Sequence, residues 1–279
     1  MASIVVLIEP LDRHMRQSYL LMPLVRRWAA AGHRVKVHAG LDSPPPPGDI
    51  AFLHTDLTVV PQPYLEAMRR YPVAVNGAVG DLRKRTFSRQ LLRRDARYDG
   101  PVMVKSDLNS GGRPEAGKRN RERLLAREAQ APAASDVYEV YASIAEVPGD
   151  VWERADLVVE KFLPERDGEA YCLRQYYFLG DAEAGYLMRS REPMVKGESA
   201  LSMAPAPVPP EIRELRRQLR FDYGKFDFVL RDGRAVLFDA NRTPSHFALR
   251  RFGHGDAACG RLAAGLASLL GKGVRTTFL

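Results

Sequence analysis

Residues 225–244, KFDFVLRDGRAVLFDANRTP, set two carboxylates and an amide into runs that otherwise read as buried strand. Phe226, Phe228, Val236, Leu237 and Phe238 are side chains of a sheet core, and Asp227, Asp239 and Asn241 interrupt them. On a strand alternate residues share a face, so Asp239 and Asn241 point the same way. A turn at Arg231-Asp232-Gly233 folds the first run back on the second and brings Asp227 opposite them. Two carboxylates and an amide oxygen then converge, a set that repels itself unless a hard cation sits between. Mg²⁺ held by one or two carboxylates together with phosphate oxygens is the commonest solution. The competing reading is an exposed sheet face with ordinary acids. Acids lodged among buried positions need a partner, which favours the cation.

Other residues offer weaker chemistry. Arg174, Arg189, Arg191 and Lys196 lie on or beside one predicted hairpin, where guanidinium groups can clamp a carboxylate or a phosphate; a solvated sheet edge is the alternative. Arg174 is the strongest of them because it sits in an apolar strand. His246 follows the acid strand closely and reads as a base, a ligand or a surface histidine. Asp56, in HTDLT at a strand end, reads as a substrate contact or a loop cap. Gly112 to Lys118, GRPEAGK, satisfies the G-x-x-x-x-G-K part of a P-loop. Arg119 stands where Ser or Thr must ligate Mg²⁺, Pro114 removes an N–H from the cradle, and the strand ends too early, so the match is a coincidence. No G-x-S-x-G, H-E-x-x-H or Cys/His pairing points to a hydrolase.

The elements that must position these groups follow from periodicity. SIVVLI is a buried strand, and the helical YLLMPLVRRWAAAGH after it stops at Gly32. RVKVHAG, DIAFLH and PVAVNG are further strands, with YLEAMRR helical between the last two, so residues 1 to about 78 form an open parallel α/β sheet. From Asp81 come a basic helix DLRKRTFSRQLLRR, the strand PVMVK, the glycine-bearing loop SDLNSGGRPEAG and a charged helix KRNRERLLAREA. APAASD is a link. ADLVVEKFL is a strand, YCLRQYYFLGD and GYLMRSRE form an antiparallel hairpin, PPEIRELRRQLR is a helix opened by proline, and DAACGRLAAGLASLLG is a small-residue helix.

Composition fits this picture. The chain has 279 residues, 45% hydrophobic and 27% charged, enough for a real core. No run of eighteen apolar residues occurs, and Glu9 and Asp12 come too soon for a secretory signal, which predicts a soluble cytoplasmic protein away from the membrane. The two cysteines, Cys172 and Cys259, read as free thiols. A net charge of +8 suits anionic nucleotides or acidic substrates; the arginines are dispersed on helices rather than gathered with aromatics, which argues against nucleic acid.

DYGKFDFVLRDGRAVLFDANRTP resembles the metal-binding end of the ATP-grasp superfamily, in which an acid on one strand and an acid-x-Asn on the next hold two Mg²⁺ ions against ATP. The order of the other segments agrees. By this resemblance Lys84 in DLRKRTFS and Lys105 in PVMVKSDLNSGG bind nucleotide phosphates. VVEKFL resembles the adenine hinge: Glu160 accepts the adenine amino group, Lys161 and Leu163 offer backbone groups, and Phe162 walls the pocket. Asp227, Asp239 and Asn241 take the metals. Lys225 reaches the terminal phosphate or an acyl phosphate, with Arg174 helping to neutralise the transferred group. Glu165, Asp167 and Glu169 follow the hinge, and Glu169 is the expected ribose ligand. Ser110, Gly111 and Gly112 belong to a mobile flap whose backbone N–H groups close over the triphosphate. One departure stands out: Asp239 replaces the more frequent glutamate, a shorter ligand.

The resemblance implies an α/β (α+β) ATP-grasp fold with three parts. Residues 1–88 form the open parallel α/β lobe, 89–164 a small central lobe with the glycine loop, and 165–279 an antiparallel lobe with the metal site. It implies an ATP- and Mg²⁺-dependent carboxylate–amine ligase acting through an acyl phosphate, with Mn²⁺ able to stand in for Mg²⁺. The partners are a small carboxylate and an amine, and the small-residue C-terminal helix suits packing on a second copy. The alternatives are a small-molecule kinase using the same site and a nucleotide-binding module without turnover.

Overall fold

The computed structural model describes residues 1–10, 12, 18–126 and 138–275. The β-branched run at the start forms β1 (Ser3–Ile8), almost wholly buried, as a central strand of a parallel sheet must be. With β2 (Arg34–Ala39), β3 (Ile50–Leu53) and β4 (Val73–Val75) it makes a four-stranded parallel sheet in the order β2-β1-β3-β4. Helix α1 (Leu21–Ala30) ends before Gly32, whose φ of 87° a larger residue resists. It buries Leu24 and Trp28 on one face of the sheet, while α2 (Gln62–Met68) buries Tyr64 and Met68 on the other.

A single helical turn, α3 (Lys84–Phe87), leads into a three-stranded antiparallel sheet of order β6-β5-β7, built from β5 (Val102–Ser106), β6 (Tyr138–Tyr141) and β7 (Leu157–Lys161). Between β5 and β6 a 3₁₀ turn, Asn109–Gly112, runs straight into α4 (Arg113–Leu125).

The antiparallel sheet that follows comprises β8 (Glu165–Asp167), β9 (Ala170–Leu179), β10 (Ala182–Ser190), β11 (Ser202–Pro205), β12 (Tyr223–Arg231) and β13 (Arg234–Asn241). Its order is β11-β10-β9-β12-β13, with β8 beside β9. One face, with Tyr176, Phe178, Phe226 and Phe228, packs on Ile212 of α5 (Pro210–Gln218). The other carries Tyr177, Leu179 and Tyr223 into a core that also contains Ile4, Trp28 and Phe52 of the parallel sheet. The first and last sheets therefore share one apolar interior. Helices α6 (Phe247–Arg251), α7 (Gly255–Ala263) and α8 (Leu266–Arg275) close the chain.

Three local expectations change. The basic helix from Asp81 shrinks to one turn because Gln90 and Leu92 are recruited by β7: Lys161 N–H donates to Gln90 O and Leu92 N–H to Val159 O. The tail helix breaks at Gly265, where a Cβ would lie 1.9 Å from Leu179 O. The charged helix starts at Arg113, so Arg-Pro-Glu-Ala-Gly is helix rather than loop. Pro114 sits in its first turn, where the missing N–H costs nothing. The link expected at Ala131–Asp136 lies outside the described residues. Among the described residues no helix is long and apolar enough to cross a membrane.

Candidate active site

Asp232 and Gly233 both take positive φ, 50° and 75°, the signature of a two-residue hairpin turn, and they fix the register of β12 on β13. Asp227 pairs with Asp239 and Lys225 with Asn241, all four on one face. A bulge beside Asp227 leaves Phe238 as an extra residue, which frees its carbonyl from the ladder. On the other side Asp227 neighbours Gln175 of β9. Gln175 Nε2 donates to Asp227 Oδ1 at 3.1 Å and Lys225 Nζ to Oδ2 at 2.7 Å, while Tyr177 OH donates to Gln175 Oε1 at 2.8 Å and so orients the amide. Burial pushes the Asp227 carboxyl above its ordinary range; Lys225 pulls it back and Asp239 opposite adds to the rise.

Two lysines from the other segments meet this acid pair. Lys84 Nζ donates to Leu108 O at 2.7 Å and stands 3.5 Å from Asp239 Oδ1. Lys105 Nζ lies 2.6 Å from Glu160 Oε2 on its own sheet and donates to the bulged Phe238 O at 3.2 Å on the other. Both lysines are buried, at 3% and 5% exposure. Such burial is expected only of paired ammonium groups. Asp239 Oδ1 and Glu160 Oε1 are buried without a hydrogen bond, acceptors held ready for a donor or a cation. Tyr138, opposite Lys105 in the β5–β6 ladder, has its phenol pushed up to about 12 by burial and by Asp239, Asp227 and Glu160, with Arg113 opposing. Lys196 Nζ sits 5.4 Å from the Tyr138 ring centroid, bringing the β10–β11 connection to the same place.

A cavity of about 230 Å³ lies beside the start of α4, lined by Glu9, Asp56, Tyr19, Ser110, Arg113 and Lys118 among others. Both Asp56 oxygens are engaged, by Tyr19 OH at 2.6 Å and by Thr243 Oγ1 at 2.6 Å, which ties this cavity to the end of β13. Lys118 pairs with Glu9 at 2.8 Å.

The sequence matches no family model and no curated protein. Solved structures do match in shape. D-alanine–D-alanine ligase from Bacillus anthracis superposes with a TM-score of 0.52 at 12% identity, over 99% of this chain and 98% of that one. A structure of the same ligase complexed with ATP gives 0.50 at 13%, over 99% and 98%. The RimK domain protein ATP-grasp from Sphaerobacter thermophilus gives 0.50 at 15%, over 95% and 99%. The chain has the ATP-grasp fold.

Within this ATP-grasp frame the residues expected from sequence divide sharply. Lys84, Lys105, Glu160, Lys225, Asp227 and Asp239 converge. Arg174 does not. It pairs with Phe228 in the ladder and faces the α5 side, opposite to Gln175 and Asp227, where Glu165 takes it in a fork at 2.7–3.0 Å. Strand alternation thus puts Arg174 on the α5 face and Gln175 on the acid face. Glu160 meets Lys105 through Oε2, leaving only Oε1 for any other donor. The Lys161 and Phe162 N–H groups already donate to Gln90 O and Pro101 O, and Lys161 Nζ rests 5.1 Å from the Tyr98 ring centroid. Leu163 follows them as a half-buried residue. Glu169 lies exposed in the β8–β9 turn, and Asp167 is paired with Arg189.

Asn241 shares the acid face, yet its Oδ1 accepts from Thr243 N–H at 2.8 Å. Ser110, Gly111 and Gly112 are successive left-handed residues, with φ of 49°, 66° and 75°; Gly111 and Gly112 are buried while Ser110 is exposed. Their loop is docked rather than free, since Asn109 N–H donates to Thr58 Oγ1 at 2.9 Å and Thr58 N–H to Glu115 at 2.5 Å. His246 is buried at 8% exposure, with Nδ1 2.9 Å from Ser18 O, and is no surface histidine. Arg242, which sequence reading passed over, is wholly buried and donates to Thr55 O, Leu57 O and Val79 O. Among the described residues no three His, Cys, Asp or Glu side chains cluster as a metal site.

Proposed function

We propose that this protein is a cytoplasmic ATP- and Mg²⁺-dependent carboxylate–amine ligase. The observation that carries the reading is the approach of two buried lysines to the Asp227–Asp239 pair, Lys84 at Asp239 and Lys105 at the neighbouring Phe238 carbonyl, where Asp239 Oδ1 and Glu160 Oε1 are buried without hydrogen bonds. Asp227 and Asp239, with Asn241 beside them, would hold Mg²⁺ or Mn²⁺; Lys84 and Lys105 would take phosphate oxygens; Glu160 Oε1 and the Leu163 main chain would face adenine. When bound, ATP would supply the γ-phosphoryl group and leave as ADP, with Mg²⁺ neutralising the phosphate oxygens; the carboxylate would become an acyl phosphate, and an amine attacking its carbonyl would expel inorganic phosphate and form the amide.

Phosphoryl transfer asks a protein for position and charge neutralisation more than for covalent chemistry. The lysines supply positive charge from the central sheet. Gln175 and Lys225 fix the Asp227 carboxylate from two sides.

ADP release measured with paired panels of carboxylic acids and amines, followed by mass analysis of the products, tests the reading. Amide formation that requires both partners supports it. A phosphorylated product formed without amine makes the protein a kinase, and the absence of both nucleotide binding and turnover removes the enzyme.

A further inference from the structure

On the opposite face of the antiparallel sheet from the acid pair lies a larger groove of about 840 Å³. Its walls are the end of α2 and β4 on one side and α5 on the other, with the β9–β10 turn between. Arg69 stands on the first wall, and Arg213, Arg216, Arg217 and Arg220 line the second. These arginines are not equivalent. Arg216 is consumed by structure, donating to Gly180 O, Phe221 O and Asp222 O. Arg213 forks onto Glu183. Arg69 and Arg220 are exposed and form no ion pair among the described residues, and Arg217 reaches only Glu214 on its own helix.

Arg220 also occupies a position that disfavours it. It follows α5 with a φ of 59°, the left-handed turn that glycine fills without strain. A charged side chain is therefore presented at the groove rim where backbone preference alone would select none.

We propose that this groove docks an acidic peptide segment of a protein partner. The arginines the fold does not consume are Arg69 on one wall and, in line along the other, Arg217 at the end of α5 and Arg220 beyond it, not gathered at a point. Such a line matches carboxylates spaced along a chain better than it matches one phosphate. Asp181, Glu183 and Asp222 also line the groove. Glu183 is held by Arg213 and Tyr176 and Asp222 accepts from Asn76 N–H, so the exposed Asp181 is the acid that opposes a polymer charged at every unit and suits a peptide N–H donor. The aromatic rings at the groove, Tyr176 and Phe221, are buried at 1% and 6% exposure and offer no face on which bases could stack. The volume suits a short segment.

The test titrates the full chain with a fluorescein-labelled peptide of alternating glutamate and alanine, with its glutamine counterpart, and with single-stranded RNA of equal charge. The glutamate peptide binds, weakening as salt rises, and the glutamine peptide does not. Arg220→Gly keeps or raises the thermal midpoint because it relieves the left-handed strain, while Arg69→Glu combined with Arg220→Gly weakens the glutamate peptide by about tenfold. Absence of glutamate-peptide binding, equal binding by the double variant, or RNA bound as tightly and lost in the same variant overturns the proposal.

Discussion

Asp227 and Asp239 stand opposite each other in the β12–β13 ladder, and each faces its own lysine: Lys225 at 2.7 Å from Asp227 and Lys84 at 3.5 Å from Asp239. Like charges directly across a ladder are destabilising. The arrangement is a standing demand for cations. Asp239→Asn removes one of the two charges and disturbs no hydrogen bond of Oδ1. It also strips the buried Lys84 ammonium of its counter-ion, so the thermal midpoint should fall, while Mg²⁺-dependent ATP cleavage drops by about a hundredfold or more. Cleavage at the parent rate would take Asp239 out of the metal site.

Lys105 and Glu160 form a pair with side chains only 6% and 3% exposed. Lys105→Met leaves a buried carboxylate without its cation and should cost about 3–5 kcal/mol in urea unfolding. Adding Glu160→Gln should restore most of that loss, yet fluorescent-nucleotide titration should find both variants weak binders. A double variant that binds nucleotide normally would show that the pair serves folding alone.

Arg174 offers the opposite test. Its fork onto Glu165, which also accepts Leu230 N–H at 2.7 Å, lies across the sheet from the acids. Arg174→Met should lower stability by about 2–3 kcal/mol and leave the turnover of the folded protein unchanged. Lost turnover with intact stability would return Arg174 to the site.

The fold and the acid pair were legible because they rest on local rules. Period-two alternation and an Asp-Gly turn suffice to bring Asp227 opposite Asp239. The same alternation, applied one residue further on β9, separates Arg174 from Gln175, but the strand is buried on both faces and gives no polar–apolar contrast to show which side is the site. Asn-x-Thr at 241–243 and Arg-Pro-Glu at 113–115 carried readable signals of a side-chain turn and a helix start. The lost helix beyond Phe87 had no such signal. Its residues were claimed by β7, a partner about seventy positions away, and long-range pairing of that kind leaves no mark on local periodicity. Tyr138 joins the site only through its ladder with Lys105.

His54 supplies a pH prediction. It is wholly buried, edge-on to Tyr19, and burial with Arg242 nearby lowers its pKa from 6.5 to about 3. The unfolded chain binds a proton at His54 below pH 6.5 that the folded protein refuses until about pH 3, so stability rises with pH across that window. Acidification from pH 7.5 to 5 should cost about 2 kcal/mol through this group. Urea unfolding of His54→Leu should show a shallower slope over the same range; parallel slopes would place the sensitivity elsewhere.

Arg242 and Asn76 have a mechanical consequence. Arg242 binds three carbonyls of the first sheet's loops, and Asn76 holds Asp222 and Tyr223 through both ends of its amide, over an interior the two outer sheets already share. Those sheets form one chassis, whereas the three-stranded sheet keeps an apolar cluster of its own, with Val102, Val104, Leu157 and Val159. Lys105 therefore reaches from a separately cored unit onto the frame that carries the acids, and its 3.2 Å bond to Phe238 O is one of the clasps between them.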